Sequence, residues 1–153
     1  MPRAHVVVAP VLVIAAALGI WSVTAIRRTA ERRETLVDTL GVRVPPVPGA
    51  RLLAPWQPVA DADLAHLTLC FDDTDPAGAA LLFAAALAGT PWRSSEVQRE
   101  SASGRASVLA QDGTYRLRAL AEPGSRGNCD NRRGQTLVSI EAAPLARRLS
   151  GEP

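Results

Sequence analysis

One run of residues limits this chain more than any other. Between Val6 and Ile26 (VVVAPVLVIAAALGIWSVTAI) no side chain is charged, and only Ser22 and Thr24 are polar. As a helix rising 1.5 Å per residue, that run reaches about 32 Å, close to the hydrocarbon thickness of about 30 Å. It predicts a single transmembrane helix over residues 5–26, behind a short tail at residues 1–4. Pro10 and Gly19 are tolerated in membrane helices, and Trp21 suits the interfacial belt. A cleaved secretory signal has an apolar core of roughly 7–15 residues and then a small-x-small site. This run is longer and is followed at once by Arg27 and Arg28, which suits an anchor.

The two sides of the run give opposing signals about orientation. Arg27, Arg28, Arg32 and Arg33 follow it and only Arg3 precedes it, so the positive-inside rule favours a cytoplasmic C-terminal region. Against this, long domains translocate despite flanking charge, and Cys70 and Cys129 are placed to pair, as in an oxidising compartment. The expectation is a cell-membrane protein whose C-terminal domain is extracytoplasmic. The alternative faces the cytoplasm and forgoes the disulfide.

Residues 27–41 read as a helical juxtamembrane stalk, a solvated continuation of the membrane helix. Arg27 and Arg28 lie at spacings that let them pair with Glu31, and Gly41 is a natural terminator. Residues 42–58 carry five prolines, Pro45, Pro46, Pro48, Pro55 and Pro58. Such a stretch is neither helix nor central strand, so it reads as a semi-rigid polyproline spacer.

From residue 59 to 143 the pattern becomes that of a small α+β domain, with 144–153 as a tail. Leu64–Phe71 alternates as a strand. Asp75-Pro76 is a helix start, and PAGAALLFAAALAG runs apolar to a stop at Gly89. Arg93–Gly104 reads as a polar loop. Asp112-Gly113 between alternating runs predicts a hairpin pairing Ala110 with Tyr115 and Val108 with Leu117. Its buried face would hold Val108, Ala110, Tyr115, Leu117 and Ala119. Thr136–Ala142 is a last strand, giving the order β-α-β-β-β, one helix packed on an antiparallel sheet. About 85 residues have a modest stability margin, which a Cys70–Cys129 bridge would raise by roughly 4 kcal/mol in the chain-entropy model.

Charge excludes one function class. Residues 1–58 carry net +4, residues 59–143 net −3 and residues 144–153 net +1. The foldable segment is therefore mildly acidic, opposite to a nucleic-acid-binding domain. Two Cys and two His would all have to converge to complete a single four-ligand site, and His5 falls in the expected membrane segment, so a structural zinc domain is not expected. Asp73-x-Asp75-x-x-Gly78 opens like a calcium loop, but Ala77 and Ala84 occupy ligand positions and Pro76 interrupts it. His66 and Cys70 share a strand face about 13 Å apart, too far for a nucleophile and its base. No catalytic, cofactor or metal residues are therefore expected. Candidate partner contacts are Trp56 and Trp92, which flank the domain, and Arg126, Arg132 and Arg133, which make one loop basic.

The 17 basic residues are all Arg, which reads as the drift of a GC-rich genome. The layout of anchor, proline-rich spacer, strand ending in Cys70, helix, Trp92, hairpin and Cys129 resembles small membrane-anchored envelope domains of GC-rich bacteria. That group is defined by layout and not by an activity, so the resemblance transfers no functional residue. The expected role is a non-enzymatic, membrane-anchored module that meets the bilayer through residues 5–26 and binds a protein partner or envelope component. The alternative is a cytoplasm-facing, membrane-tethered regulator or complex subunit.

Overall fold

In a computed structural model, residues 8–59, 63–94, 96–124, 129 and 134–146 are described, with side chains from residue 25 onward. The chain divides into two units, up to Thr35 and from Leu36 onward. Helix α1 spans Val8–Arg43. Most of the expected membrane segment, residues 5–26, falls outside the residues whose side chains are described. Among the described residues no helix is long and apolar enough to cross a membrane.

Two expectations about the end of α1 are corrected. Gly41 does not stop the helix, which runs on to Arg43, and the Val44 amide still donates to the Leu40 carbonyl at 2.9 Å. Nor is the end of the stalk solvated, because Leu36 and Leu40 are buried and the hydrophobic core of the second unit includes them. Their i, i+4 spacing gives one apolar stripe over the last two turns. That buried stripe offsets the low helix propensity of Gly41, about 1 kcal/mol relative to Ala.

The expected polyproline spacer is also partly a strand. Val44 and Val47 are buried after the helix, and β1 then runs Ala50–Pro58. It forms one edge of the sheet, paired only with β2 (Ala65–Phe71) and in broken register between Leu52 and Gln57. An edge position explains why proline fits, since an N–H facing away from the neighbour is not needed in the ladder.

After β2, helix α2 covers Pro76–Leu87. Asp75 caps it, its carboxylate accepting from the Gly78 amide at 2.6 Å. The chain leaves α2 through Gly89, whose φ of +80° suits glycine. The Arg93–Gly104 segment, expected as loop, holds two short strands, β3 (Arg93–Ser94) and β4 (Gln98–Glu100). Both pair with β5 (Arg105–Gln111), which is followed by β6 (Tyr115–Pro123) and β7 (Thr136–Pro144). All pairings are antiparallel, in the order β1-β2-β7-β6-β5-β3 with β4 also on β5.

The β5–β6 hairpin differs from expectation by one turn position. Ala110 pairs with Leu117 and Val108 with Ala119, so Gly113-Thr114 is the turn and not Asp112-Gly113. Gly113 takes φ +88°, the conformation a tight hairpin asks of its first central residue. Moving a turn by one residue shifts the register by two. Because strand side chains alternate with period two, the buried face survives. Val108, Ala110, Leu117 and Ala119 are buried as expected, and Tyr115 is half-buried.

The core lies between that face and α2. Ala79, Ala80, Phe83 and Leu87 of the helix pack across β5, β6 and β7. Leu67, Leu69 and Phe71 of β2 and Val138 and Ile140 of β7 complete it. A small α+β domain with an antiparallel sheet is thus the observed architecture, with the expected β-α-β-β-β order supplemented by β1, β3 and β4.

Candidate functional site

The two cysteines meet. Cys70 near the end of β2 and Cys129 before β7 have Cα atoms 6.0 Å apart and sulfurs at bonding distance. Both are buried, in a small cluster with Leu137 that the half-buried Leu53 of β1 covers. This cluster is separate from the main core, because Cys70 and Leu137 alternate with the core residues Leu69 and Val138 along their strands. The bridge ties the chain ahead of β7 to β2, one of the two strands flanking β7.

The other candidate residues separate. Trp92 is 4% exposed and its indole Nε1 donates to the Arg43 carbonyl at 3.0 Å. Expected as a partner contact, it lies in the core and satisfies a helix-terminal carbonyl. Trp56 is half-buried against the core from β1. Arg126, Arg132 and Arg133 lie outside the described residues. The acidic run at the α2 start is engaged structurally, since Asp75 caps the helix and Asp72 accepts from Gln135 Nε2 at 2.6 Å. Among the described residues no group of three His, Cys, Asp or Glu could hold a metal ion.

The most organised polar cluster lies elsewhere, where α1 ends beside the hairpin tip. Arg43 Nη1 donates to Asp112 Oδ2 at 2.6 Å, and its guanidinium carbon sits 5.3 Å from the centre of the Tyr115 ring, within cation–π range. The other carboxylate oxygen, Asp112 Oδ1, accepts from the amides of Thr114 and Tyr115 at 2.9 and 2.7 Å. Burial alone would push the Asp112 carboxyl up. The Tyr115 and Thr114 amides and the Arg43 guanidinium outweigh it, so its pKa is held below the ordinary carboxylate value.

This cluster borders a groove of about 460 Å³ lined by Val42, Arg43, Pro45, Gly89, Thr90, Pro91, Trp92 and Asp112. Every lining residue belongs to the unit that begins at Leu36. Its walls are chiefly apolar and its ionisable groups are one cation and one anion, an arrangement suited to binding. In the sequence Arg43 counts only toward the net charge of residues 1–58, and Asp112 only as a turn residue. They lie 69 positions apart, and no local spacing signals their meeting.

A second polar array crosses the sheet face opposite α2, where His66, Glu141 and Arg118 stand opposite one another on β2, β7 and β6. Arg118, Leu120, Ser139 and Glu141 line a hollow of about 50 Å³ there. That space is near the size of one or two water molecules and far below a ligand pocket. The groove at Arg43 is the candidate site, and it stands on geometry, because no family model and no curated protein matches the chain.

Proposed function

We propose that this chain is a single-pass membrane protein, anchored by residues 5–26, whose domain stands on the extracytoplasmic side. There it serves as a non-enzymatic module that binds a protein or other envelope component through the groove beside Arg43. The observation that carries this reading is the paired and buried Cys70 and Cys129, since such bridges persist in oxidising compartments and are rare in the cytosol. The apolar run Val6–Ile26 supports the anchor.

Arg27, Arg28, Arg32 and Arg33 favour a second reading, a cytoplasm-facing tethered regulator or complex subunit. Thiol trapping separates the two. Both sulfurs are buried, so a reagent applied to folded protein would miss them in either compartment. Cells are therefore quenched in acid and denatured, free thiols are blocked, and the sample is reduced and tagged with a polyethylene-glycol maleimide. The extracytoplasmic reading expects two tags per chain. Chains already blocked at both cysteines would support the cytoplasmic one.

A further inference from the structure

Helix α2 is apolar on two sides. Its inner stripe, Ala79, Ala80, Phe83 and Leu87, is buried against the sheet. Its outer side carries Gly78, Leu81, Leu82 and Ala85 at i, i+3, i+4 and i+7, which is one face of a helix. Leu81 is 50% exposed and Leu82 39%, and no charged side chain stands anywhere on the helix. A helix that is apolar all round belongs in a buried setting, so the outer stripe calls for a cover. The pattern of the stripe points to what that cover is. The midpoint of Pro76–Leu87 falls between Leu81 and Leu82, and Gly78 and Ala85 stand three positions outward from them on either side. Turned end for end, the stripe keeps the same profile, large in the middle and small beyond, as an isologous contact requires. The two flanks of α2 differ in charge. Ahead of it, Asp72 is engaged by Gln135 and Asp75 by the helix cap, while Asp73 is exposed. Behind it, Gly89, Thr90 and Pro91 line the groove together with Arg43. There the Asp112 side chain is 1% exposed and that of Arg43 43%. The groove thus shows solvent a cation, with donors beyond the one bonded to Asp112.

We propose that the outer face of α2 is the contact between two copies of this chain, packed antiparallel about a two-fold axis between Leu81 and Leu82. The leucines of the two copies meet at the axis, and the small Gly78 and Ala85 let the helices approach closely on either side. Antiparallel pairing brings the acidic flank of each helix to the basic flank of the other, so Asp73 faces the partner's Arg43 at the groove rim. A parallel pair would set acid against acid. Apolar profile and end charges are therefore both self-complementary, which selects a second copy as the occupant. Helices of about three turns make a contact that is small beside the standard interface of about 1,600 Å², so the dimer is weak and concentration-dependent. The inference goes beyond the binding role given to the groove and rests on neither the anchor nor the compartment. Every residue it uses belongs to the unit that begins at Leu36.

The test is cross-linking of the full chain in detergent. Leu82→Cys places a thiol beside the axis, and Cys70 and Cys129 are bonded and buried, so a short bis-maleimide joins that position only to its counterpart. Ser101→Cys, exposed between β4 and β5, is the control outside the face. The expected result is a covalent dimer from Leu82→Cys that rises with protein concentration, and none from Ser101→Cys. Adding Leu81→Asp should abolish the dimer with the melting temperature unchanged, because the position is exposed. Adding Asp73→Arg should abolish it as well, and Asp73→Glu should keep it. Gly78 stays unaltered, because a Cβ there would lie 2.9 Å from Oδ1 of the capping Asp75. Absence of the dimer at every concentration overturns the proposal and leaves the groove reading standing. Equal cross-linking at Ser101→Cys, or cross-linking that survives Leu81→Asp, assigns the association to another surface and overturns the proposal. Cross-linking lost with Leu81→Asp that survives Asp73→Arg overturns the antiparallel pairing.

Discussion

Asp112 ties three parts of the domain together. One oxygen holds the amides of Thr114 and Tyr115 and so shapes the hairpin turn, and the other holds Arg43 at the end of α1. Its folded-state pKa lies below the ordinary carboxylate value, so its ionised form adds stability above the unfolded pKa of about 3.9. That contribution fades as pH falls through the lower, folded value. Asp112→Asn should therefore cost about 1.5–3 kcal/mol at neutral pH, the range for a lost hydrogen bond to a charged group. Urea melts of both chains at pH 7 and pH 3 check this. The gap between them should narrow at pH 3, and a gap that stays constant contradicts the role of the charge. Asp112 is legible in the sequence as a turn former, whereas Arg43 falls in the stretch read as a proline-rich spacer. Their pairing is a property of the tertiary fold.

At the scale of elements, legibility follows how local the physics is. The cap at Asp75, helix α2 and strand β2 stand almost where expected, because capping, apolar content and alternation act within a few residues. The β5–β6 turn is misplaced by one position, since Asp-Gly is a strong turn signal whether Asp lies inside the turn or just before it. In the structure the Asp112 side chain binds the turn from outside. β1 is not legible, because five prolines and an irregular alternation mask a strand that only an edge position permits. The disulfide is legible as a pair, and its place in the small Leu53–Leu137 cluster is not. Cys70→Ser should lower stability by about 4 kcal/mol in the chain-entropy model for a separation of 59 residues, engineered cases often giving less. Identical non-reducing melts of the variant and the parent would contradict a stabilising bridge.

For the molecule as a whole, the folded unit starts earlier than composition suggests. The change in pattern near residue 59 marks where alternation becomes regular, yet the core already includes Leu36, Leu40, Val44 and Val47. A chain of residues 36–153 should therefore melt cooperatively. One of residues 59–153 loses those four side chains and β1, at about 2–5 kcal/mol for each large buried side chain, more than a small domain has to spare. Circular dichroism melts of the two check this, and equal midpoints would return residues 36–41 to the role of a stalk and residues 42–58 to that of a spacer.

The central claim, an anchored domain outside the cytoplasm, is tested most directly by topology. Ser101 is exposed between β4 and β5, and Cys70 and Cys129 are buried in their bridge. Ser101→Cys therefore introduces one reactive thiol. Intact cells expressing that full-length variant are treated with a membrane-impermeant maleimide and then fractionated. The account predicts labelled protein in the membrane fraction without lysis. Membrane-bound protein that labels only after lysis would place the domain in the cytoplasm and contradict it.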